Sequence, residues 1–360
     1  MQKLLHFLKI EIMDSIKIDN RQIGQKFPPY VIAEMSANHN GNIQTALKII
    51  EEAKKVGADA VKMQTYRPDT ITLNSDGEDF RIRGGLWNGR TLYELYEEAH
   101  TPWEWHAPLF EYALKIGITI FSSPFDNTAV DLLEDLNAPA YKIASFEAVD
   151  LPLIKYVAST GKPMIISTGM ANAEEIQEAI DAARTGGCNE LAILHCVSGY
   201  PASAADYNLR TIPDMIRRFG LVTGLSDHTL DNTTAITSVA LGASIIEKHF
   251  TLDRSGGGPD DSFSLEPTEL ADLCRGARTA WSALGAIDYG LQSSEQDNIK
   301  FRRSLYFIKD MKAGDVITEE AVRSVRPGFG IPPKYWSEIL GRKLARDIKK
   351  NTPVLFEVLQ

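Results

Sequence analysis

The sequence predicts a (β/α)8 TIM barrel followed by a small β-rich domain. Between residues 29 and 285, short runs rich in β-branched residues alternate with helix-period stretches such as 43–56 and 173–185. This alternation is typical of βαβ units built on a parallel sheet. Eight runs are present, which is the number that closes a barrel. They span residues 30–34, 60–64, 118–122, 140–144, 163–167, 191–195, 221–226 and 244–249.

Each of these predicted strands ends in polar residues. They include Glu34, Lys62, Gln64, Ser122, Lys142, Ser145, Ser167, His195, Ser226, His228, Glu247 and His249. For a single residue, the start of a loop is a sufficient reason for polarity. Because all strands of a barrel open onto the same mouth, eight polar ends together indicate one shared site.

The chain beyond the barrel changes character after Gly285. Residues 286–302 are polar and predict a linker, and residues 303–360 contain an internal echo, with 309–317 resembling 346–354. Two related β-turn-β units predict a small pseudo-symmetric domain, suited to a lid or a partner contact. Residues 1–28 are expected to be an N-terminal extension and lead-in segment, of which the first dozen have no role.

Composition excludes several classes of protein. The formal net charge of -10 argues against a protein that binds nucleic acid or an anionic membrane through a broad, positively charged surface. No apolar run approaches the ~18 residues of a membrane span, and the short stretch 4–8 lacks the features of a signal peptide. The three cysteines form no metal-binding or disulfide pattern, so a cytoplasmic protein is expected.

Two histidines follow neighbouring predicted strands. His228 and His249 end the seventh and eighth strands, which are adjacent in a closed barrel. Two imidazoles can hold one divalent metal and leave positions for water and substrate, although a structural role for both is the simpler alternative. Glu34 on the first strand supplies a carboxylate within reach. Mn²⁺ or Mg²⁺ suits such a shell, and zinc stays open.

Lys62 and Lys142 stand at strand ends beside hydroxyl and amide groups. Such a group of side chains is suited to bind a phosphate or a carboxylate through charge-assisted hydrogen bonds. Two alternatives remain open at this point. Each lysine can be a surface side chain with a buried stem, or one can be the Schiff-base nucleophile of an aldolase.

Taken together, these segments resemble the sialic acid synthase family in order and spacing over nearly the whole chain. The matching segments are 32–34, 38–41, 57–64, 141–145, 167–170, 194–196, 224–229 and 247–251. Residues 325–330 and the repeated Asp-Met-Lys and Asp-Ile-Lys elements resemble the antifreeze-like SAF domain that ends these enzymes.

The resemblance implies an enzyme that condenses phosphoenolpyruvate with an acetamido sugar. It implies a divalent metal, Mn²⁺ or Mg²⁺ with Co²⁺ possible, at His228 and His249, and a carboxylate, Glu34, near the reacting centre. The residues that match phosphoenolpyruvate ligands are Lys62, Lys142, Ser145, Ser167 and Ser226. Those that match sugar contacts are Gln64, Glu147, Tyr200 and Asp260. Arg326 matches an arginine that enters the partner's barrel, which implies a domain-exchanged homodimer.

Residues 85–96 and 101–106 resemble the branch of the family that makes pseudaminic acid. Ser198 agrees, since neuraminate-producing members tend to carry asparagine there. A 6-deoxy diacetamido sugar needs a larger apolar wall, which Trp87 or Tyr93 can supply; the alternative is that both are core aromatic residues. The alternatives are an N-acetylneuraminate or legionaminate synthase, a Schiff-base aldolase, or a non-catalytic carbohydrate-binding or ice-binding protein.

Overall fold

The computed structural model describes residues 13–360, so the expectations for residues 1–12 lie outside the described part of the chain. The chain forms two compact units, of which the first ends at Gly285 and the second spans Ala286–Gln360. The predicted linker, residues 286–302, falls within the second unit, where Ser293–Phe301 forms a 3₁₀ helix.

Eight parallel strands close into a barrel in the first unit, which confirms the predicted fold. They are β3 (Tyr30–Glu34), β4 (Ala60–Thr65), β5 (Thr119–Pro124), β6 (Tyr141–Ile143), β7 (Met164–Ser167), β8 (Leu191–Cys196), β9 (Val222–Asp227) and β10 (Ile245–His249). The strands follow chain order around the barrel, and β10 pairs with β3 to close it. Each boundary lies within two residues of its prediction. Helices bury the outer face of these strands and the barrel interior buries the inner face, so the strands read as continuous apolar runs.

A short antiparallel hairpin precedes the barrel, in a segment predicted only as a lead-in. Its strands are β1 (Ile16–Ile18) and β2 (Arg21–Ile23). Ile16, Ile18 and Ile23 are buried in one cluster with residues from the N-terminal halves of the barrel strands. The hairpin therefore fills the end of the barrel opposite the mouth. These two strands stand outside the alternation of strands and helices that revealed the equally short β6, so no pattern in the sequence indicated them.

Helices surround the barrel and return the chain from one strand to the next. The first unit contains α1 (Ile43–Val56), α2 (Pro68–Ile71), α3 (Leu92–Ala99), α4 (Trp103–Ile116), α5 (Asn127–Asp135), α6 (Leu151–Ala158), α7 (Ala173–Gly186), α8 (Thr211–Phe219), α9 (Thr233–Ala240) and α10 (Pro267–Leu284).

Helix α1 shows how local sequence sets these boundaries. The Asn42 side chain accepts a hydrogen bond from the Gln44 backbone N–H and so caps the first turn. Gly57 ends the helix with a left-handed φ of 94°, a conformation that costs glycine little. Ile49, Ile50 and other apolar residues on one face are buried against the barrel.

The second unit has its own core and a two-stranded sheet of β11 (Ser304–Phe307) and β12 (Val322–Val325), together with the short helix α11 (Trp336–Ile339). The two repeat elements face each other. Asp310 pairs with Lys349 at 2.9 Å, and Asp347 pairs with Lys312 at 2.8 Å. The two sequence repeats are therefore joined to each other by two equivalent Asp–Lys ion pairs.

Among residues 13–360, no helix combines the length and the hydropathy that a membrane crossing requires.

Candidate active site

Charged side chains from four strands meet inside the mouth of the barrel. Lys62 Nζ on β4 lies 3.0 Å from Glu34 Oε2 on β3 and 3.2 Å from Glu247 Oε1 on β10. Lys142 Nζ on β6 lies 3.2 Å from the same Glu247 oxygen. The Ser226 hydroxyl on β9 donates to that oxygen at 3.3 Å. All five residues are buried, so the structure brings together the lysines and Glu34 as predicted.

Glu247 is the centre of this network; the sequence placed it among the polar strand ends, but no role was predicted for it. A signal was present, since Glu247 lies two residues before His249 and strand residues at that spacing share a face. Sequence cannot show that this carboxylate accepts hydrogen bonds from a lysine and a serine 105 and 21 residues away. Its second oxygen, Oε2, has no hydrogen-bond partner among the described residues.

Burial and charge act in opposite directions on these groups. Burial raises the pKa of Glu34, and Lys62 offsets only part of that effect. Burial likewise acts to raise the pKa of Glu247, but Lys142 and Lys62 overcome it and lower the pKa to about 2. Burial lowers the pKa of Lys142, whereas the pKa of Lys62 is raised because two carboxylates oppose its burial. Glu34 is therefore the carboxyl group in the network best suited to accept a proton.

A second set of hydrogen bonds extends from Glu34 towards the loop after β10. Gln64 Nε2 donates to Glu34 Oε1 at 3.0 Å and to Ser36 Oγ at 2.9 Å. Ser36 Oγ in turn donates to Asp260 Oδ2 at 2.5 Å. Burial raises the pKa of Asp260. Gln64 and Asp260, both predicted to contact the sugar, thus lie beside the predicted reacting carboxylate.

The two predicted histidines lie side by side, with ring centroids 5.4 Å apart. His228 Nδ1–H donates to the Val197 carbonyl at 2.8 Å, so the lone pair of the neutral ring is on Nε2. Burial acts to lower the pKa of His228, but Cys196 and the Val197 carbonyl overcome it and raise that pKa. His249 Nδ1 is buried without a hydrogen-bond partner in the described part of the chain. Burial holds the pKa of His249 well below its ordinary value, so its ring is neutral, as a metal ligand must be.

These residues fit a divalent metal held by two imidazoles. Residues 13–360 contain no metal-holding group of three or more histidine, cysteine, aspartate or glutamate side chains. Glu34, considered from sequence as a carboxylate within reach of the metal, is instead directed to Lys62 and Gln64. The donor set that the protein offers is therefore His228 and His249, with the remaining positions for water and substrate oxygens.

Small side chains line the part of the mouth formed by β6, β7 and β8. Ser145 Oγ accepts a hydrogen bond from the Gly169 backbone N–H at 3.2 Å. A Cβ atom on Gly169 would lie 2.7 Å from Ser145 Oγ and 2.3 Å from Ser198 Oγ, so only glycine fits between them. Ser167 Oγ is buried and has no hydrogen-bond partner among residues 13–360. Three hydroxyl groups, those of Ser145, Ser167 and Ser198, thus lie in this part of the mouth.

Glu147 follows β6 in a 3₁₀ helix that spans Ser145–Glu147. Burial raises the pKa of its carboxyl group to about 7, although the charge of Lys142 acts to lower it. Its Oε2 atom lacks a hydrogen-bond partner within the described residues. Glu147 as a whole is half-buried, and its buried oxygen without a partner is suited to bind a polar group of a ligand.

An aromatic wall flanks the histidines. The Tyr200 ring lies 4.3 Å from the His228 ring and 6.1 Å from the Trp87 ring, measured between centroids. Trp87 is half-buried in an otherwise exposed loop, and its Nε1–H donates to the Pro259 carbonyl at 3.0 Å. Trp87 therefore joins the loop after β4 to the loop that carries Asp260.

Arg326 belongs to the second unit. It is exposed directly after β12 and lines a cavity of about 640 Å³ together with Arg323 and Lys350. Its expected entry into a partner's barrel stays a prediction.

Comparison with known proteins identifies both parts of the chain. A model of the NeuB family matches residues 49–289, and a model of the SAF domain matches residues 302–359. The sequence is 48% identical over 320 residues to a pseudaminic acid synthase of Campylobacter jejuni, covering 89% of this chain and 93% of that protein. It is 44% identical over 328 residues to the pseudaminic acid synthase of Helicobacter pylori, covering 91% and 96%.

A solved structure agrees with the sequence comparisons. The crystal structure of the N-acetylneuraminic acid synthetase from Leptospira borgpetersenii in complex with citrate superposes with a TM-score of 0.71 at 31% identity, covering 81% of this chain and 97% of that one. The barrel and the SAF domain predicted from sequence are both confirmed.

Proposed function

Because the chain belongs to the NeuB family, we propose that it is a pseudaminic acid synthase, a transferase that condenses phosphoenolpyruvate with 2,4-diacetamido-2,4,6-trideoxy-L-altrose to give pseudaminic acid and phosphate. The observation that carries this proposal is the buried network of Glu34, Lys62, Lys142 and Glu247 beside the histidine pair. It supplies anion-binding groups and a proton acceptor at one barrel mouth, in a chain 48% identical to an enzyme of that name.

Lys62 and Lys142 bind the phosphate and carboxylate of phosphoenolpyruvate in this proposal. Both ammonium groups are buried, so their attraction to an anion is screened little by water. The hydroxyl groups of Ser145, Ser167 and Ser226 add neutral donors at the same mouth. Pre-positioned charges of this kind stabilise charge that develops during reaction.

The reaction begins when carbon 3 of phosphoenolpyruvate attacks the aldehyde carbon of the open-chain sugar, which opens the carbonyl double bond and leaves an oxygen that takes a proton from solvent to become a hydroxyl group. The new carbon–carbon bond leaves a cationic carbon 2, to which a water oxygen adds while Glu34 accepts the water proton. The resulting tetrahedral phosphate ester loses phosphate by cleavage of its carbon–oxygen bond and becomes the 2-keto acid. Glu34 suits this step, since burial raises its pKa and Gln64 orients it.

We propose His228 and His249 as the ligands of a divalent metal, Mn²⁺ or Mg²⁺ with Co²⁺ as a further candidate. The buried, unpartnered Nδ1 of His249 and the free Nε2 of His228 support this assignment. When bound, such an ion supplies Lewis-acid polarisation of the sugar aldehyde.

The sugar is bound by Gln64, Glu147, Tyr200 and Asp260 in this proposal. Gln64 contacts Glu34, Ser36 links Gln64 to Asp260, and the Tyr200 ring lies against His228. Trp87 supplies an apolar wall for the 6-deoxy end of the sugar, because its ring faces Tyr200 and is fixed on Pro259.

We also propose a domain-exchanged homodimer in the cytoplasm, in which Arg326 completes the partner's site. Exposed apolar side chains on the loops after the strands support a partner over the barrel mouth, and they include Leu86, Phe146, Met170 and Leu230. Three buried free cysteines fit a reducing compartment. Mixing a Lys62→Met protein with an Arg326→Ala protein tests the exchange, since one intact site should form in each mixed dimer and restore activity. No restoration after subunit mixing would contradict it.

The reaction itself is tested by mass spectrometry of the products. The enzyme is incubated with phosphoenolpyruvate labelled with ¹⁸O at the bridging oxygen and with the diacetamido altrose, its manno-configured diacetamido analogue or N-acetylmannosamine. We expect pseudaminic acid from the first sugar and the label in the released phosphate. A preference for either other sugar would contradict the proposed substrate. Covalent trapping with borohydride would indicate a Schiff-base aldolase instead.

A further inference from the structure

A buried ion pair lies between the two strands that carry the histidines. Asp227 on β9 and Lys248 on β10 are directly paired in the parallel register. Lys248 Nζ lies 2.8 Å from Asp227 Oδ2, and the two side chains are 2% and 0% exposed. Because strand side chains alternate in direction, this pair lies on the opposite face of β10 from Glu247 and His249.

Lys248 also holds the turn that contains His228. Its ammonium group donates to the Thr229 carbonyl at 2.6 Å and to the Asp231 carbonyl at 2.8 Å. Asp227 Oδ1 accepts a hydrogen bond from the Thr229 backbone N–H at 2.9 Å. The Lys248 side chain therefore links the turn that contains His228 to strand β10.

This arrangement couples the two histidines through their immediate neighbours in sequence. Lys248 precedes His249, while its hydrogen-bond partners stand on both sides of His228. A buried ion pair contributes little net stability compared with an apolar pair of the same size, and its best-attested use is to define one geometry. Here the geometry that it defines is the separation of the two imidazoles.

We propose that Asp227 and Lys248 are positioning residues that hold His228 and His249 at the separation needed to share one divalent cation. The proposal rests on the metal role given to the histidines above. Residues that orient metal-ligating histidines typically change metal affinity by about 10- to 100-fold when they are replaced.

The double variant Asp227→Asn/Lys248→Met tests this role. It removes both charges together, because a single substitution would leave the other charge buried and unpaired. The matched control is Arg21→Met, which breaks the Arg21–Asp59 ion pair of 3.0 Å at the opposite end of the barrel. Binding of Mn²⁺ alone is measured by electron paramagnetic resonance, and folding by circular dichroism. We expect the Kd for Mn²⁺ to rise at least about tenfold in the double variant and to stay unchanged in the control.

A crystal structure of the same double variant without metal provides the second measurement. We expect the ring separation to depart from 5.4 Å and the His228–Val197 hydrogen bond to be lost. A folded double variant with wild-type Mn²⁺ affinity, or with both rings within about 0.5 Å of their places, would overturn the positioning role. If the wild type binds no Mn²⁺, the proposed metal role fails, and the ring positions still decide whether this pair positions the histidines.

Discussion

Replacing Glu247 by glutamine should destabilise the barrel strongly. The substitution keeps the shape of the side chain and removes the charge that faces Lys62 and Lys142, each 3.2 Å from Glu247 Oε1. Glu34 would then be the one carboxylate within ion-pair distance of either lysine among the described residues. Lys62 would keep Glu34 as its counter-charge, and Lys142 would lose its ion-pair partner.

Two independent routes give a similar magnitude for this loss. A pKa lowered from 4.5 to about 2 corresponds to about 3 kcal/mol of stability, at ~1.4 kcal/mol for each pKa unit. Removing one partner of a buried ion pair typically costs about 3–5 kcal/mol. Because the folded-state pKa is lowered, the contribution is fully present above pH 4.5 and is lost as the pH falls towards 2.

The assay is urea denaturation of the wild type and of Glu247→Gln, followed by tryptophan fluorescence at pH 7 and at pH 4. We expect a loss of about 3 kcal/mol at pH 7 and a smaller difference at pH 4. The control is Asp272→Asn, which breaks the exposed Asp272–Arg275 pair and should cost less than about 1 kcal/mol. A Glu247→Gln protein no less stable than the control at pH 7 would refute the reasoning.

Three further predictions concern activity. Trp87→Ala should lower kcat/KM for the diacetamido altrose about tenfold relative to N-acetylmannosamine, because one lost apolar contact is worth ~1–3 kcal/mol. Trp87→Phe should largely retain the ratio of the two kcat/KM values. Equal losses for both sugars in a phosphate-release assay would contradict the role of Trp87 as an apolar wall. Activity should fall as the pH drops through about 7 if ionised Glu147 binds the sugar, because the raised pKa of Glu147 leaves it charged only above that value. Glu147→Gln should remove this acidic limb of the pH–rate profile. An unchanged limb in that variant would exclude Glu147 as its source. Chelator treatment should abolish product formation and added Mn²⁺ or Mg²⁺ should restore it, while full activity after chelation would argue against a metal at His228 and His249.

Residue order alone determined the architecture of the barrel. Eight β-branched runs with polar ends were visible because a strand covered on both faces must be apolar along its length and can be polar only where it opens onto the mouth. The same regularity pointed to Lys62, Lys142, His228 and His249 on separate strands, and their side chains meet at the mouth in the structure. Lys62 and Lys142 lie within β4 and β6 and not at the strand ends where they were predicted.

Tertiary structure alone decided which of these groups interact. Glu34 was within reach of either the histidines or a lysine, and hydrogen bonds from Gln64 and the charge of Lys62 direct it to the lysine. Glu247 contacts a lysine 105 residues away in sequence, and no local pattern encodes such a contact. The hairpin of β1 and β2 was equally hidden, because its strands stand outside the alternation of strands and helices that revealed the equally short β6. It is the open end of the closed barrel that buries them. Periodicity reports how each segment is buried, whereas the partner of a charge depends on where the barrel closes.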